Sequence, residues 1–148
     1  MRNIFINGNG RRIGVREINV NIGKNKSNMR IDVLEINRKG NILVGYEIKS
    51  CIQDFRTDKK WRNYLSIINQ LYFVFDSSTY DKHKNEIMQS VGNDAGIYVY
   101  NEKTRFLRFE HGGKFFTNEE KGADFYRIIL FNYLLRNAIN YFNRGEND

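Results

Sequence analysis

Three features of the sequence predict a single α/β domain, residues 1–148, in which helices flank a mixed central β-sheet. Residues 30–36 and 42–50 have the apolar patterns of strands, and NRKGN between them supplies the glycine and asparagines of a hairpin turn. Residues 71–77 form a further apolar run of strand length. A helical pattern separates this run from the hairpin, which predicts a parallel crossover, and 148 residues suit one domain.

The composition indicates a soluble protein that favours a polyanionic partner. Lys and Arg outnumber Asp and Glu by 24 to 17, which gives a net charge of +7, although general solubility explains such a charge about equally well. No segment is apolar enough to cross a bilayer, and the N-terminus lacks the apolar stretch of a signal peptide. The single cysteine, Cys51, agrees with a reducing compartment, so we expect an intracellular, cytoplasmic location and no membrane partner.

The segments around the hairpin complete the first half of the domain. Residues 15–22 alternate polar and apolar side chains, which suits a half-buried strand or a short helix leading into one. After the hairpin, an amphipathic helix is predicted to begin at Asp58, because Trp61, Tyr64 and Ile68 fall at helical spacing on one face. Aromatic residues at that spacing usually belong to the core.

The second half of the chain predicts one more hairpin between two helices. Residues 81–91 have the pattern of a polar helix, and residues 96–101 and 105–111 read as a pair of strands. Thr117, with a glutamate three residues later, fits a capping box, and large apolar groups then recur at helical spacing to about Phe142. We expect this last helix to lie across the sheet.

The strand-like segment VGYEIKSCIQDF carries two charges between apolar residues. Side chains of a strand alternate between faces, so Glu47 and Lys49 lie side by side on one face while Tyr46 and Ile48 occupy the other. If the preceding strand is the hairpin partner, one register sets Asp32 opposite or diagonal to Glu47. A divalent cation with oxygen ligands, such as Mg²⁺, would relieve the repulsion between these two carboxylates.

A site of this composition can hydrolyse phosphodiesters. A metal held by Asp32, Glu47 and the backbone carbonyl of Ile48 would polarise the phosphate and lower the pKa of a bound water. Lys49 would orient that water or, when charged, stabilise the negative charge that develops on the phosphoryl oxygens. A solvated ion pair at a strand edge is the simpler alternative, since the same spacing of acid and lysine occurs at two other places in the chain.

The surrounding sequence resembles a known family. The order R-I-D-V, G-Y-E-I-K-S and then a helix is similar to the PD-(D/E)XK nuclease superfamily, in which a mixed sheet carries a metal-dependent phosphodiesterase site. The strings R-x-D, E-x-K-S and D-F-x-x-D-x-K-W-x-x-Y, followed by an aromatic-rich strand, resemble the MmcB-like DNA repair proteins. With the later DAGIYVYNEKTRFLR, this similarity covers roughly residues 15–108. It implies a restriction-endonuclease-like fold.

The resemblance also implies roles for individual residues. Carried over by position, Asp32 and Glu47 are the metal-binding acids and Lys49 is the catalytic lysine. Glu17 matches the early acid of the superfamily, which completes the metal's ligands or supports them. The implied cofactor is Mg²⁺ or Mn²⁺. The chain departs from the expected pattern at Asn69 and the glutamine after it, where acidic residues are expected.

Four residues are candidates for contact with nucleic acid: Arg30, Gln53, Lys59 and Lys60. Lys60 is the strongest of them, because it lies on the first turn of the predicted helix, where a basic side chain and exposed backbone amides can receive a phosphate. We expect Asp58 to cap that helix.

Other polar residues have ordinary structural interpretations. Asp54, like Gln53, is expected to line the cleft. His83 and His111 have no second histidine or cysteine at ligand spacing, so they are interpreted as surface residues rather than as zinc ligands. Cys51 is expected to be a small buried apolar residue rather than a nucleophile.

The site residues and the resemblance together predict a nuclease that uses Mg²⁺ or Mn²⁺ to cut DNA, and the resemblance implies a role in repair or in the processing of unusual DNA structures. The alternative from another class is a nucleic-acid-binding module or complex subunit that cuts nothing, and the complete set of two acids and a lysine argues against it. An RNA-directed or host-defence nuclease would keep the chemistry and change the substrate. The aromatic C-terminal helix would suit a homodimer interface, although core burial explains it equally well.

Overall fold

In the described residues, seven strands form one sheet in which the spatial order of the strands equals their order in the chain. The structure is a computed structural model that describes residues 4–7, 12–22, 27–37, 39, 42–117 and 119. The strands are β1 (Ile4–Asn7), β2 (Arg12–Ile22), β3 (Ser27–Asn37), β4 (Ile42–Lys49), β5 (Gln70–Asp76), β6 (Gly96–Asn101) and β7 (Phe106–His111).

The pairing of these strands confirms the predicted mixed sheet. Strands β1 to β4 are antiparallel, β4, β5 and β6 are parallel, and β7 returns antiparallel to β6. Both predicted hairpins are therefore present, and residues 15–22 belong to strand β2 rather than to a helix. Parallel neighbours need a crossover, and here helices supply both crossovers.

Three helices connect the parallel strands and pack on one face of the sheet: α1 (Ile52–Thr57), α2 (Trp61–Tyr64) and α3 (Ser77–Val91). Phe55 of α1 and Trp61 of α2 both meet the ring of Phe73 edge-on, with ring centroids 5.3 Å apart in each case. Each fully buried large apolar side chain contributes about 1.5–3 kcal/mol. The aromatic string of the sequence is thus core, as predicted, and it fixes the crossover that follows β4.

The prediction of a single helix that begins at Asp58 is wrong. The chain forms α1 earlier, ends it at Asp58, and makes only four residues of helix in α2 before turning towards β5. Asn69 explains why α2 ends early. Its backbone N–H donates to the carbonyl of Leu43, and its side-chain oxygen accepts from the N–H of Leu43, both at 2.8 Å. These contacts draw the chain back to the sheet at once.

The crossover from β5 to β6 agrees with the prediction more closely than the crossover from β4 to β5. Helix α3 covers the predicted residues 81–91 but begins at Ser77, because Asp76 caps it by accepting a hydrogen bond from the N–H of Thr79 at 3.1 Å. The helix predicted from Thr117 to Phe142 lies outside the described residues. None of the helices in the described residues has the length and apolar composition of a membrane span.

The opposite face of the sheet carries a row of tyrosines. The rings of Tyr46 and Tyr72 stack with centroids 5.7 Å apart, and Tyr72 lies 4.9 Å from Tyr98. Gly96 pairs with Tyr72, and a Cβ atom at position 96 would lie 2.3 Å from the Tyr72 ring. The absence of a side chain at this position lets that ring lie across β6.

Candidate active site

The end of the β3–β4 ladder brings two acids together. Val33 of β3 and Tyr46 of β4 are the last pair of the antiparallel ladder. The residues that follow this pair at the end of the ladder are Asp32 in β3 and Glu47 in β4. The strands remain close there, because the N–H of Ile48 donates a hydrogen bond of 2.9 Å to Asp32 Oδ2. This is the register that the sequence predicts, and it places Asp32 opposite Glu47.

Strand β4 turns its two charged side chains towards the helices. Glu47 is 4% and Lys49 8% exposed, whereas Ile48 between them is 56% exposed. The alternation predicted for this strand is therefore confirmed, and Lys49 Nζ lies 3.3 Å from Glu47 Oε2. The alternative of a solvated ion pair is wrong, since an ion pair at a strand edge would be hydrated and this one is enclosed.

Glu47 lies in an environment that opposes its negative charge. Burial first, and the nearby charge of Asp32 second, raise the pKa of Glu47 from its ordinary 4.5 to about 7, although Lys49 acts in the other direction. Its Oε1 atom is buried and has no hydrogen-bond partner among the described residues. An unsatisfied carboxylate oxygen in a buried position is costly unless a cation or proton occupies it.

Lys49 keeps its positive charge despite its burial. Burial alone would lower the pKa of Lys49, but its hydrogen bond to Asp58 and the charges of Glu47 and Asp58 together raise it above the ordinary value. The contact with Asp58 is the shorter of its two ion pairs, with Nζ 2.6 Å from Asp58 Oδ2. Lys49 is therefore an ammonium group held between two carboxylates.

The sequence predicts that Asp58 caps a helix, but the structure places it in the site as a partner of Lys49. It does not cap α2 with its side chain, because Lys60 occupies that cap position and makes no side-chain cap hydrogen bond. Its Oδ1 accepts instead from the backbone N–H of Lys60 at 3.1 Å, while Oδ2 binds Lys49. The D-F-x-x-D-x-K-W string already contained this residue, but only the fold shows that it reaches the lysine of β4.

Tyr64 connects α2 to the strand that carries Asp32. Its hydroxyl donates a hydrogen bond of 2.9 Å to the backbone carbonyl of Arg30, two residues before Asp32. Burial, followed by the negative charges of Glu47 and Asp58, raises the pKa of Tyr64, which therefore stays a neutral donor. The negative potential of the site extends to this ring.

Glu17 lies on the neighbouring strand at the level of Asp32. Arg16 pairs with Val33 and Ile18 pairs with Ile31, so Glu17 falls opposite Asp32. Its φ of +53° is in the left-handed region, which costs a residue with a side chain about 1–2 kcal/mol. Glu17 is exposed, and its role as a metal ligand stays a prediction.

The donor set fits a hard divalent cation. Asp32 and Glu47 supply carboxylate oxygens, and the buried Oε1 of Glu47 has no hydrogen-bond partner among the described residues. Across the ranges that the structure describes, no group of three Asp, Glu, His or Cys side chains is close enough to hold a metal ion by itself. Mg²⁺ suits such a site, because it binds one or two carboxylates and keeps several waters. The Ile48 carbonyl stays a predicted further ligand.

The predicted nucleic-acid contacts lie on the surface around this site. Arg30, Gln53, Lys59 and Lys60 are all exposed. The backbone N–H of Lys60 already donates to Asp58, so the side chain of Lys60, rather than its amide, is available for a phosphate. Lys59 and Asp58 border an open pocket of about 350 Å³ between α1, α2 and α3.

The remaining polar residues take ordinary positions, with one correction. Asp54 is exposed on α1 and accepts a hydrogen bond of 2.6 Å from Ser50. His83 lies 3.7 Å from Glu86, and a ring nitrogen of His111 lies 2.9 Å from the Gly92 carbonyl oxygen. The expectation that Cys51 is buried is wrong: it is exposed, because it precedes α1 where the chain leaves the sheet.

Comparison with known proteins gives one family and one similar fold. The profile of a family described as DNA repair protein MmcB-like matches residues 14–99, which include Asp32, Glu47, Lys49 and Asp58. The structure of SPO1766, a protein of unknown function from Silicibacter pomeroyi, superposes with a TM-score of 0.59. It is 16% identical, and the match covers 93% of this chain and 84% of that one. No curated protein is significantly similar in sequence.

Proposed function

Because the chain belongs to the MmcB-like family of DNA repair proteins, we propose that it is a metal-dependent nuclease that hydrolyses phosphodiester bonds in DNA. One observation carries the proposal: a buried glutamate, Glu47, has an oxygen with no hydrogen-bond partner among the described residues, and it lies beside a second carboxylate and a charged lysine. A purely structural ion pair needs neither the second acid nor the free oxygen. The resemblance to the PD-(D/E)XK superfamily supports the same reading.

Asp32 and Glu47 would hold the metal. The bound Mg²⁺ or Mn²⁺ supplies Lewis-acid chemistry at the phosphate and a more acidic water. The N–H of Ile48 fixes one oxygen of Asp32 at 2.9 Å, so this carboxylate is oriented before any cation arrives. The burial that raises the pKa of Glu47 also excludes water from around it, and a cation there is screened less than at the surface.

Lys49 would act as a fixed positive charge. Its raised pKa means that the ammonium is present at neutral pH, so of the two roles open to it, stabilising charge on the phosphoryl oxygens is favoured over accepting a proton. A preorganised donor of this kind is typically worth about 10²–10³ in kcat. The Phe73 ring lies 5.7 Å from Nζ and closes one side of the lysine's environment.

DNA is the proposed substrate. The family is named for DNA repair, the net charge is +7, and Lys59 and Lys60 are exposed next to Asp58. Lysines around a groove neutralise backbone phosphates without reading sequence. Arg30 and Gln53 are proposed as further contacts.

A second candidate is a binding module of the same fold that does not cut. Its support is that Lys49 already neutralises part of the Glu47 charge, and that no compact group of three metal-ligating side chains occurs in the described residues. Such a protein would bind DNA equally well in EDTA and after Asp32→Ala. An RNA-directed nuclease is separated from the DNA proposal by competition between RNA and DNA of matched length.

The test is cleavage of labelled substrates, namely supercoiled plasmid, single strands, flaps, four-way junctions and RNA, in Mg²⁺, Mn²⁺ or EDTA. Asp32→Ala and Lys49→Ala are compared with matched controls, Asp81→Ala and Lys103→Ala, at exposed positions of α3 and of the β6–β7 turn. We expect metal-dependent cutting that is lost in the first pair and kept in the second. Tight binding without cutting in any metal would contradict the proposal and favour the binding module.

A further inference from the structure

We propose that Asp58 is a positioning residue, which holds the Lys49 ammonium away from Glu47 and links it to the loop that carries Lys59 and Lys60. This inference rests on the proposed function, because it assigns a task to Asp58 within the same site. The sequence suggests only a helix cap for Asp58. The structure gives both of its carboxylate oxygens other partners.

The first step of the argument is the asymmetry of the two ion pairs. Lys49 Nζ lies 2.6 Å from Asp58 Oδ2 and 3.3 Å from Glu47 Oε2. The side chains of Lys49 and Asp58 are 9% and 15% exposed, so water competes little with this contact. A lysine has a flexible four-carbon stem and no preferred direction for its charge. The closer carboxylate therefore decides where the ammonium lies.

The second step is that Asp58 itself is fixed. It ends α1, and its backbone N–H donates to the carbonyls of Asp54 at 3.2 Å and Phe55 at 3.3 Å. Its Oδ1 accepts from the N–H of Lys60 at 3.1 Å. An acid that moved freely could not hold Lys49 in one place, whereas this one is restrained at both its main chain and its side chain.

The third step concerns Glu47. Because Lys49 is drawn towards Asp58, the ammonium contacts only one oxygen of Glu47, and Oε1 keeps no partner among the described residues. If Asp58 lost its charge, Glu47 would be the remaining carboxylate in contact with Lys49. The ammonium would then move closer to Glu47 and compete with a cation for it. Asp58 thus keeps the metal-binding acid available.

The fourth step connects the site to the substrate. The same carboxylate that holds Lys49 accepts from the N–H of Lys60, which lies next to Lys59 on an exposed loop. A phosphate bound by these side chains would contact a loop whose position is set by Asp58. Phosphate binding by Lys59 and Lys60 and the position of the Lys49 ammonium therefore both depend on Asp58.

Three substitutions separate these contributions. Asp58→Asn keeps an oxygen that can accept from Lys60 and removes the charge that faces Lys49. Asp58→Glu keeps the charge but moves it by one methylene, and Asp58→Ala removes both. Asp81→Asn is the matched control, because Asp81 is exposed on α3 and its nearest ion-pair distance, to Arg108, is 3.9 Å.

The first readout is the separation of kcat from KM on the preferred DNA substrate, with thermal unfolding to confirm that each variant is folded. We expect Asp58→Asn to lower kcat by about 10- to 100-fold, as for residues that orient metal or catalytic groups, with KM close to wild type. Asp58→Glu should recover part of kcat, and Asp81→Asn should match wild type. A wild-type kcat in folded Asp58→Asn would overturn the proposal.

The second readout does not require catalysis. The side-chain ammonium of a lysine that is hydrogen-bonded and shielded exchanges slowly enough to give an NMR signal, here assigned by its loss in Lys49→Met. We expect the signal at one chemical shift in wild type and in Asp81→Asn, and at a different chemical shift in Asp58→Asn, because the ammonium there pairs with Glu47 alone. An unchanged chemical shift in Asp58→Asn would overturn the positioning role. A wild-type protein that cleaves nothing would refute the nuclease proposal instead, and the signal would still decide whether Asp58 holds Lys49.

Discussion

The backbone N–H of Ile48 donates a 2.9 Å hydrogen bond to Asp32 Oδ2, just beyond the last paired residues of β3 and β4. At this position a side-chain oxygen, rather than a backbone carbonyl of the neighbouring strand, accepts the hydrogen bond from Ile48. The contact also brings a negative charge next to Glu47. The arrangement is unfavourable for the metal-free protein, because Asp32 raises the pKa of Glu47. We interpret this local cost as the mark of a cation site.

Asp32→Asn tests that cost directly. The asparagine keeps an oxygen for the Ile48 N–H and removes the charge that opposes ionisation of Glu47. We expect the metal-free variant to be more stable than wild type at neutral pH by about 1 kcal/mol, the equivalent of roughly one pKa unit, and to gain less stability from Mg²⁺. Urea unfolding with and without Mg²⁺ measures both. A less stable variant with an undiminished response to Mg²⁺ would contradict the cation site.

The pH dependence of stability follows from Glu47. Because the pKa of Glu47 is raised from 4.5 to about 7, the native state holds a proton that the unfolded chain releases at lower pH. This contribution to stability is complete below pH 4.5 and is lost as pH rises through about 7. We expect urea unfolding of the metal-free protein to show that decrease, and Glu47→Gln to flatten it. An equal slope in the variant would assign the pH dependence to other groups.

Asn69 is expected to matter for folding rather than for chemistry. Its side chain accepts from the Leu43 N–H and donates to the Phe116 carbonyl, each at 2.8 Å, in a fully buried position. Asn69→Ala leaves the buried Leu43 N–H without its side-chain acceptor, which costs about 1–3 kcal/mol. Asn101→Ala is the control, since Asn101 bonds an exposed turn where water can replace it. Equal losses of unfolding free energy in the two variants would show that burial of Asn69 is unimportant.

Lys59 and Lys60 are expected to contribute to DNA affinity through phosphate contacts. Each lysine that neutralises one phosphate should reduce the slope of log affinity against log salt concentration by about 0.9. Fluorescence anisotropy over a range of salt concentrations measures this slope for Lys59→Ala and Lys60→Ala. Lys103→Ala, in the exposed β6–β7 turn, should leave the slope unchanged. If all three variants behave alike, DNA does not contact this loop.

The sheet and the site strand could be predicted from sequence because their signals are local. Alternation in β4 assigns Glu47 and Lys49 to one face, and the hairpin before it limits the registers open to Asp32. A crossover between two apolar strands predicts parallel pairing whatever the shape of the connection. These parts of the prediction needed no knowledge of tertiary contacts.

The connection between β4 and β5 could not be predicted because tertiary contacts override its helical spacing. Trp61 and Tyr64 are buried as their spacing indicates, yet Asp58 and Asn69 break the helix to reach Lys49 and Leu43. A short polar residue gives the same sequence signal whether it caps a helix or pairs with a distant group. The role of Asp58 and the exposure of Cys51 therefore became visible only in the fold.

The measurement that tests the central claim most directly compares wild type with Glu47→Gln for cleavage of one DNA substrate in Mg²⁺ and in EDTA. The glutamine has the shape of the glutamate and can accept a hydrogen bond from Lys49, but it lacks the charge that a cation needs. We expect Mg²⁺-dependent cleavage by wild type, a loss of about 10²-fold or more in the variant, as for a group that stabilises developing charge, and unchanged DNA affinity. Equal cleavage by the two proteins, or cleavage that persists in EDTA, would contradict the account.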